Sequence, residues 1–194
     1  AEGEYPVWVI TSNFNVKTLE IGELGAALQA LRLPFSKECR SNVDFKLITE
    51  NEIDLIQYRT AITLQPKDLE LMQILLKRGD EHAKVLRGII VWCEINAPRF
   101  WWQEADTYHI GTDRLSSEST MHVDCKGLSN EELVKAKEEL KEGTMQKRVQ
   151  LFSYQTLRRI YKQRKDHRLP HWHKFCDWIK TLPYSKELII NGLD

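Results

Sequence analysis

The chain has 194 residues, 42% of them hydrophobic and 29% charged, with nine glycines and six prolines, which excludes a disordered or fibrous chain. Its 28 basic residues balance its 28 acidic ones, so no global field recommends nucleic acid or membrane as a partner. The longest apolar run, around "GIIVWCEI", is too short to cross a bilayer, and the length suits a single domain over residues 1–194.

The opening "AEGEYPVWVI" carries neither a basic n-region nor an apolar h-region, so a cytoplasmic protein is expected. Within it, "YPVWVI" reads as a short strand before the turn-like "TSNFN". "TLEIGELGAALQALRL" places Leu19, Leu24, Ala27, Leu28 and Leu31 at helical spacing, closed by Pro34, and predicts a helix. "NVDFKLITE" predicts a strand, and "NEIDLIQYRTAITLQ" suits either helix or strand. Pro66 and Asp68 open a helix with Leu69, Met72, Leu75 and Leu76 on one face and Gly79 at its end. "KVLRGIIVWCEINAPRFWW" suits a half-buried strand or a buried helix end, broken at Pro98. "NEELVKAKEELK" predicts a solvated helix capped by Asn130, its acids early and its bases late as the helix dipole favours. Two last helical stripes follow, Tyr154, Leu157, Ile160 and Tyr161, then Trp172, Phe175, Cys176 and Ile179 behind Pro170. The sum is a helix-rich α+β fold with a small mixed or antiparallel sheet. Cys39, Cys93, Cys125 and Cys176 show no CxxC or framework spacing and read as reduced thiols.

Residues 100–122, "FWWQEADTYHIGTDRLSSESTMH", crowd polar groups beside aromatic surface, which is poor core material because each buried polar group needs a partner. Trp101, Trp102 and Tyr108 offer flat faces for a base or a flavin ring. Ser116, Ser117, Ser119 and Thr120 offer hydroxyls to a phosphate, with Arg114 the nearby cation. The blander alternative makes the aromatics core anchors and "SSES" a helix cap. No GxGxxG or GxxxxGK[ST] stretch and no nucleophile with its base is found.

The order and spacing of these segments resemble the flavin-dependent thymidylate synthases, and more closely the synthase-like proteins of tailed phages. "LELMQILLKRGDEH" is similar to the family's helix that runs into a flavin-contacting histidine, which falls on His82. Without a gap, "NAPR" puts Arg99 at the family's arginine, and "TYH" puts Tyr108 and His109 within its Arg-His-Arg signature. "RLSSESTMH" lies over the Ser, Asn-Glu, Ser, Arg-Tyr region, and Arg164 matches a helix-end arginine, so the likeness covers residues 66–182.

The resemblance implies FAD as cofactor, held by His82, Arg99, Tyr108 and His109, with no metal expected. It implies a nucleotide-type substrate of the dUMP kind held by Trp102, Arg114, Ser117, Ser119, Arg158 and Arg164. It also implies a flavin-dependent methyl or hydroxymethyl transfer and a homotetramer with sites shared between chains. Thr107 and His109 replace signature arginines that make bidentate bonds to phosphates, so thymidylate synthase chemistry is expected to be altered or lost. The catalytic residues stay unassigned. The alternative is a non-catalytic binding or structural protein on the same fold.

Two further constellations are legible. His167, His171, His173 and Cys176 carry metal-binding side chains at a spacing that fits no zinc pattern, so solvated histidines and a buried thiol are expected. The basic run 147–168, read as a helix, offers Lys147, Arg148, Arg158, Arg159, Lys162, Arg164, Lys165 and Arg168 to nucleic acid phosphates, or simply to solvent.

Overall fold

The computed structural model of the chain describes residues 13–22, 26–27, 30, 64–119 and 125–194. The expected strands at 5–10 and 42–50, and nearly all of the ambiguous segment 51–65, lie outside them. Four strands form one antiparallel sheet: β1 (Asn15–Gly22), β2 (Ile90–Pro98), β3 (Thr112–Ser117) and β4 (Met145–Ser153), in the order β1-β2-β4-β3. Six α-helices are named among the described residues, α1 (Pro66–Lys77), α2 (Arg99–Ala105), α3 (Asn130–Glu138), α4 (Tyr154–Arg164), α5 (Pro170–Lys180) and α6 (Ser185–Leu188), with a 3-10 turn at Lys84–Arg87. The fold is α+β, as the sequence predicts.

Local signals set most helix starts. Pro66 and Pro170 stand in the first turns of α1 and α5. Ser153 caps α4, its side chain accepting from the Thr156 amide. α3 begins one residue earlier than the Asn130 cap predicts: Ser129 is the N-cap and closes a capping box with Glu132. That helix also ends at Glu138, short of Lys141, with no residue of it buried to extend it by packing.

Two expectations are corrected by pairing across the sheet. Residues 18–22 were expected to begin a helix, yet they belong to β1, which pairs with β2 across a register shift between Thr18 and Glu20. Ladder hydrogen bonds outweigh a helical spacing that is only a local preference. Residues 145–153 at the front of the basic run are strand, not helix: β4 pairs with β2 on one side and β3 on the other, and only Tyr154–Arg164 is helical. A continuous basic helix 147–168 therefore does not exist. Ser116 and Ser117 likewise lie in β3 instead of capping a helix.

One face of the sheet carries the core. Val91, Cys93, Ile95 and Ala97 alternate inward along β2 with no exposed surface. Against them pack Trp101 of α2, Leu157 and Ile160 of α4, and Trp172, Phe175 and Ile179 of α5, all buried. Trp101 lies 4.7 Å from Trp172 and 5.6 Å from Phe175, centroid to centroid, so the aromatics of two helices interlock. The Trp178 indole donates to Thr18 Oγ1 at 2.9 Å and ties α5 to the edge strand β1. No helix among the described residues is long and apolar enough to cross a membrane.

Candidate functional site

β2 ends at Pro98, whose fixed φ starts α2 at once, so the stretch singled out from sequence is projected from the end of a central strand. Seven residues of helix divide it into two faces. Trp101 and Ala105 go into the core, whereas Arg99, Trp102, Gln103 and Asp106, at i, i+3, i+4 and i+7, form a stripe along one side. That stripe faces the start of β4, where Gln146 and Arg148 alternate toward it. Thr144, Met145 and Lys137 of α3 complete a cleft of about 260 Å³.

Its geometry is set by Arg148, whose side chain is 8% exposed. The guanidinium donates to Asp106 Oδ1 at 2.7 Å and to Gln146 Oε1 at 3.1 Å, and its carbon lies 4.1 Å from the centre of the Trp102 ring. The Trp102 indole in turn donates to the Gln146 carbonyl at 2.9 Å. Arg148 is thus a fixed wall, with stacking, an ion pair and a neutral hydrogen bond holding it.

On the other side of Trp101 lies a second polar cluster. Glu104 Oε2 accepts from Arg164 Nη1 and from the Trp172 indole, both at 2.8 Å, and lies 3.5 Å from His167 Nε2. Arg164 Nε donates to the Tyr108 hydroxyl at 2.9 Å, and that hydroxyl donates to Gln163 Oε1 at 2.8 Å. The guanidinium carbons of Arg159 and Arg164 each stand 5.6 Å from the Tyr108 ring centre. Arg159 Nε is buried without a hydrogen-bond partner. Burial lowers the pKa of His167, an effect that the Glu104 charge opposes.

Several residues named from sequence lie apart in one chain. Arg99 and Trp102 share the cleft, with the near face of Trp102 covered by Arg148. Tyr108 and Arg164 share the second cluster, where Arg164 is already paired with Glu104. Arg158 donates to the carbonyls of Ile189 and Asn191 at 2.7 and 2.9 Å and so holds the C-terminal segment. Burial pushes its pKa down. His82 is exposed beside Glu81 after α1, and His109, Arg114 and Ser117 are exposed, with Ser119 half-buried two residues past β3. His82, Arg99, Tyr108 and Ser119 do not converge on one cleft of a single chain.

The histidines near α5 face separate partners: His167 meets Glu104, His171 packs edge-on against Phe14 and Phe100, and His173 Nε2 meets the His167 carbonyl. Burial raises the Cys176 pKa to about 12, which keeps the thiol protonated. Among the described residues no three histidine, cysteine or acidic side chains are placed to hold a metal ion.

Arg148 was named from sequence only as part of the basic run, and Gln103, Asp106, Lys137 and Gln146 were not singled out as site residues. The spacing of Arg99, Gln103 and Asp106 is a legible hint, on a helix whose existence the strand-or-helix ambiguity before Pro98 obscured.

No family model and no curated protein matches the sequence. Solved structures do. Thymidylate synthase X from Helicobacter pylori, described with FAD and dUMP, superposes with a TM-score of 0.62 at 15% identity, covering 93% of this chain and 99% of that one. A second structure of it, also complexed with FAD and dUMP, gives 0.62 at 14% identity over 93% and 100%. The chain therefore has the fold of thymidylate synthase X.

Proposed function

We propose that the protein binds a nucleotide-type ligand of the pyrimidine class on the surface around Tyr108, and that conversion of dUMP to dTMP is absent or very slow. The observation that supports this reading is the likeness of nearly the whole chain to structures described with FAD and dUMP. Tyr108 carries two guanidinium groups within reach of its ring, one of them with a buried nitrogen lacking a partner. A phosphate beside an aromatic base is the kind of group such an array accepts.

The described residues of one chain do not by themselves fit FAD. Thr107 and His109 stand where the family has arginines, Arg158 is committed to backbone carbonyls, and a cleft of about 260 Å³ is too small for a whole dinucleotide. Flavin binding belongs to the proposal only through a homo-oligomer in which a second chain supplies the missing cations to His82, His109, Arg114, Ser117 and Ser119.

Calorimetry with dUMP, dTMP and FAD tests the reading. The expected result is saturable binding of a pyrimidine nucleotide, weakened at least about tenfold in Arg164→Gln and in Arg159→Gln, since each charge-assisted bond contributes about 1.5–3 kcal/mol. No heat with any of the three ligands overturns it. Robust dTMP formation with a folate donor overturns the second half, showing that the missing arginines are compensated.

A further inference from the structure

We propose that the cleft between α2, the start of β4 and α3 is a separate binding site for the phosphate group of a small phosphorylated molecule. Neither Tyr108 nor Arg164 is among its lining residues, so it is distinct from the nucleotide surface proposed above. All of its described lining comes from one chain.

Charge selects the ligand. Among the described lining residues Arg99 and Arg148, with Lys137 at the rim, stand with one carboxylate, Asp106, which is engaged with Arg148 at 2.7 Å. Arg99 makes no ion pair and no side-chain hydrogen bond among the described residues, although it is half-buried. A guanidinium removed from part of its water in a cleft shared with Arg148 favours an anion with several acceptor oxygens, and a dianion over a carboxylate.

Construction supports a specific site over a diffuse patch. Arg148 is more than nine-tenths buried and held by Asp106, Gln146 and the Trp102 face, so its remaining N–H donors are aimed before any ligand arrives. Arg99, Gln103 and Asp106 are spaced on one helical stripe, which sets their separations. Met145 adds an apolar wall for a short organic part.

Size and surroundings narrow the class. About 260 Å³ lies just below the usual span for drug-sized ligands, roughly 300–1,000 Å³, and suits a phosphate with a small attached group. Glu142, which accepts from Gln103 at 2.8 Å, and Glu118, which accepts from the Lys147 amide at 3.1 Å, place acids beside the cleft. A nucleic acid backbone laid across it would meet those carboxylates, whereas a small ester enters between them.

The test is calorimetry of the full chain at pH 8 with inorganic phosphate and with glycerol 3-phosphate, against sodium chloride at matched ionic strength. One saturable event per chain is expected with at least one of the phosphates, weakened roughly tenfold or more in Arg99→Gln and in Lys137→Gln. Lys162→Gln, an exposed cation on α4, leaves it unchanged. Lys137 lies on the solvated helix α3, so its variant reads out binding even if Arg99→Gln does not fold. A tighter ester than free phosphate identifies an esterified ligand, and equal affinities identify phosphate itself.

No saturable heat, or heat unchanged in both variants, overturns the site. So does a single-stranded oligonucleotide that binds more tightly than either phosphate and depends on Arg99. If dUMP binding disappears in Arg99→Gln, the two sites are one and the separation fails. If phosphate binds as described while dUMP and FAD give no heat, only the nucleotide reading falls.

Discussion

Glu104 serves two donors and a histidine through one oxygen: Arg164 and Trp172 at 2.8 Å, and His167 at 3.5 Å. The carboxylate therefore orders side chains from α4, the loop after it and α5 at a single point, and an ion pair that is only 38% exposed on the Glu104 side is screened less than a surface pair. The histidines nearby give this region a pH dependence with a defined sign. Burial lowers the pKa of His167, with Glu104 opposing, and burial then Lys174 lowers that of His171. The folded chain thus refuses protons that the unfolded chain accepts near the ordinary histidine value of about 6.5. Stability is fully present above that pH and falls as pH drops from about 7 toward 5.5. Thermal melts across this window are expected to show the fall, and His171→Phe, which keeps ring packing against Phe14 and Phe100, to reduce it. Melting temperatures that rise on acidification would contradict the buried neutral histidines.

At the scale of elements, the link between β3, β4 and α4 runs through Gly111. Its φ of 70° is left-handed, and a Cβ there would collide with the hydroxyls of Thr156 and Ser153. Those hydroxyls are not free to move: Ser153 caps α4, and Thr156 Oγ1 donates to the Ile110 carbonyl at 2.6 Å. The Gly111 carbonyl also accepts from the Ser153 amide at 2.7 Å. Gly111→Ala is expected to cost about 2 kcal/mol or more, from the left-handed backbone and the displaced cap together, read as a shift in urea midpoint at constant m. A change within about 0.5 kcal/mol would mean that the turn relaxes without disturbing the start of α4.

At the scale of the whole molecule, the described helices pack on one face of the sheet. Trp92 and Leu115 remain 39% and 41% exposed, and Lys147 and Glu94 pair at 4.0 Å on the side opposite the core. His82, His109, Arg114 and Ser117, which the resemblance assigns to flavin and substrate, are exposed and lie outside the Tyr108 cluster, the arrangement expected where a second chain completes a flavin site. Sedimentation at micromolar concentration is expected to give a species larger than the 22.8 kDa chain. A monomer under those conditions would remove the shared-site argument and leave the cleft at Arg99 and Arg148 as the candidate that one chain can complete.

Much of the fold is legible in the sequence because helix stripes and proline starts act within a few residues. Pro66 with Met72 and Leu76, Tyr154 with Leu157 and Tyr161, and Pro170 with Phe175 and Ile179 each define a buried face by spacing alone. The order of segments also pointed to the right fold. The sites are less legible. Arg99 and Trp102 stand out as residue types, but the cleft they share needs Gln146 and Arg148 from a strand whose basic residues look, by composition, like a continuing helix. β1 and β4 are strands because β2 lies beside them, a fact of pairing that no local spacing records. Asp106 and Arg148 meet across 42 positions, and Glu104 and Arg164 across 60. Such pairs are decided by how α2 is set down at the end of β2, so only the tertiary structure shows which cations are already neutralised and which remain for a ligand.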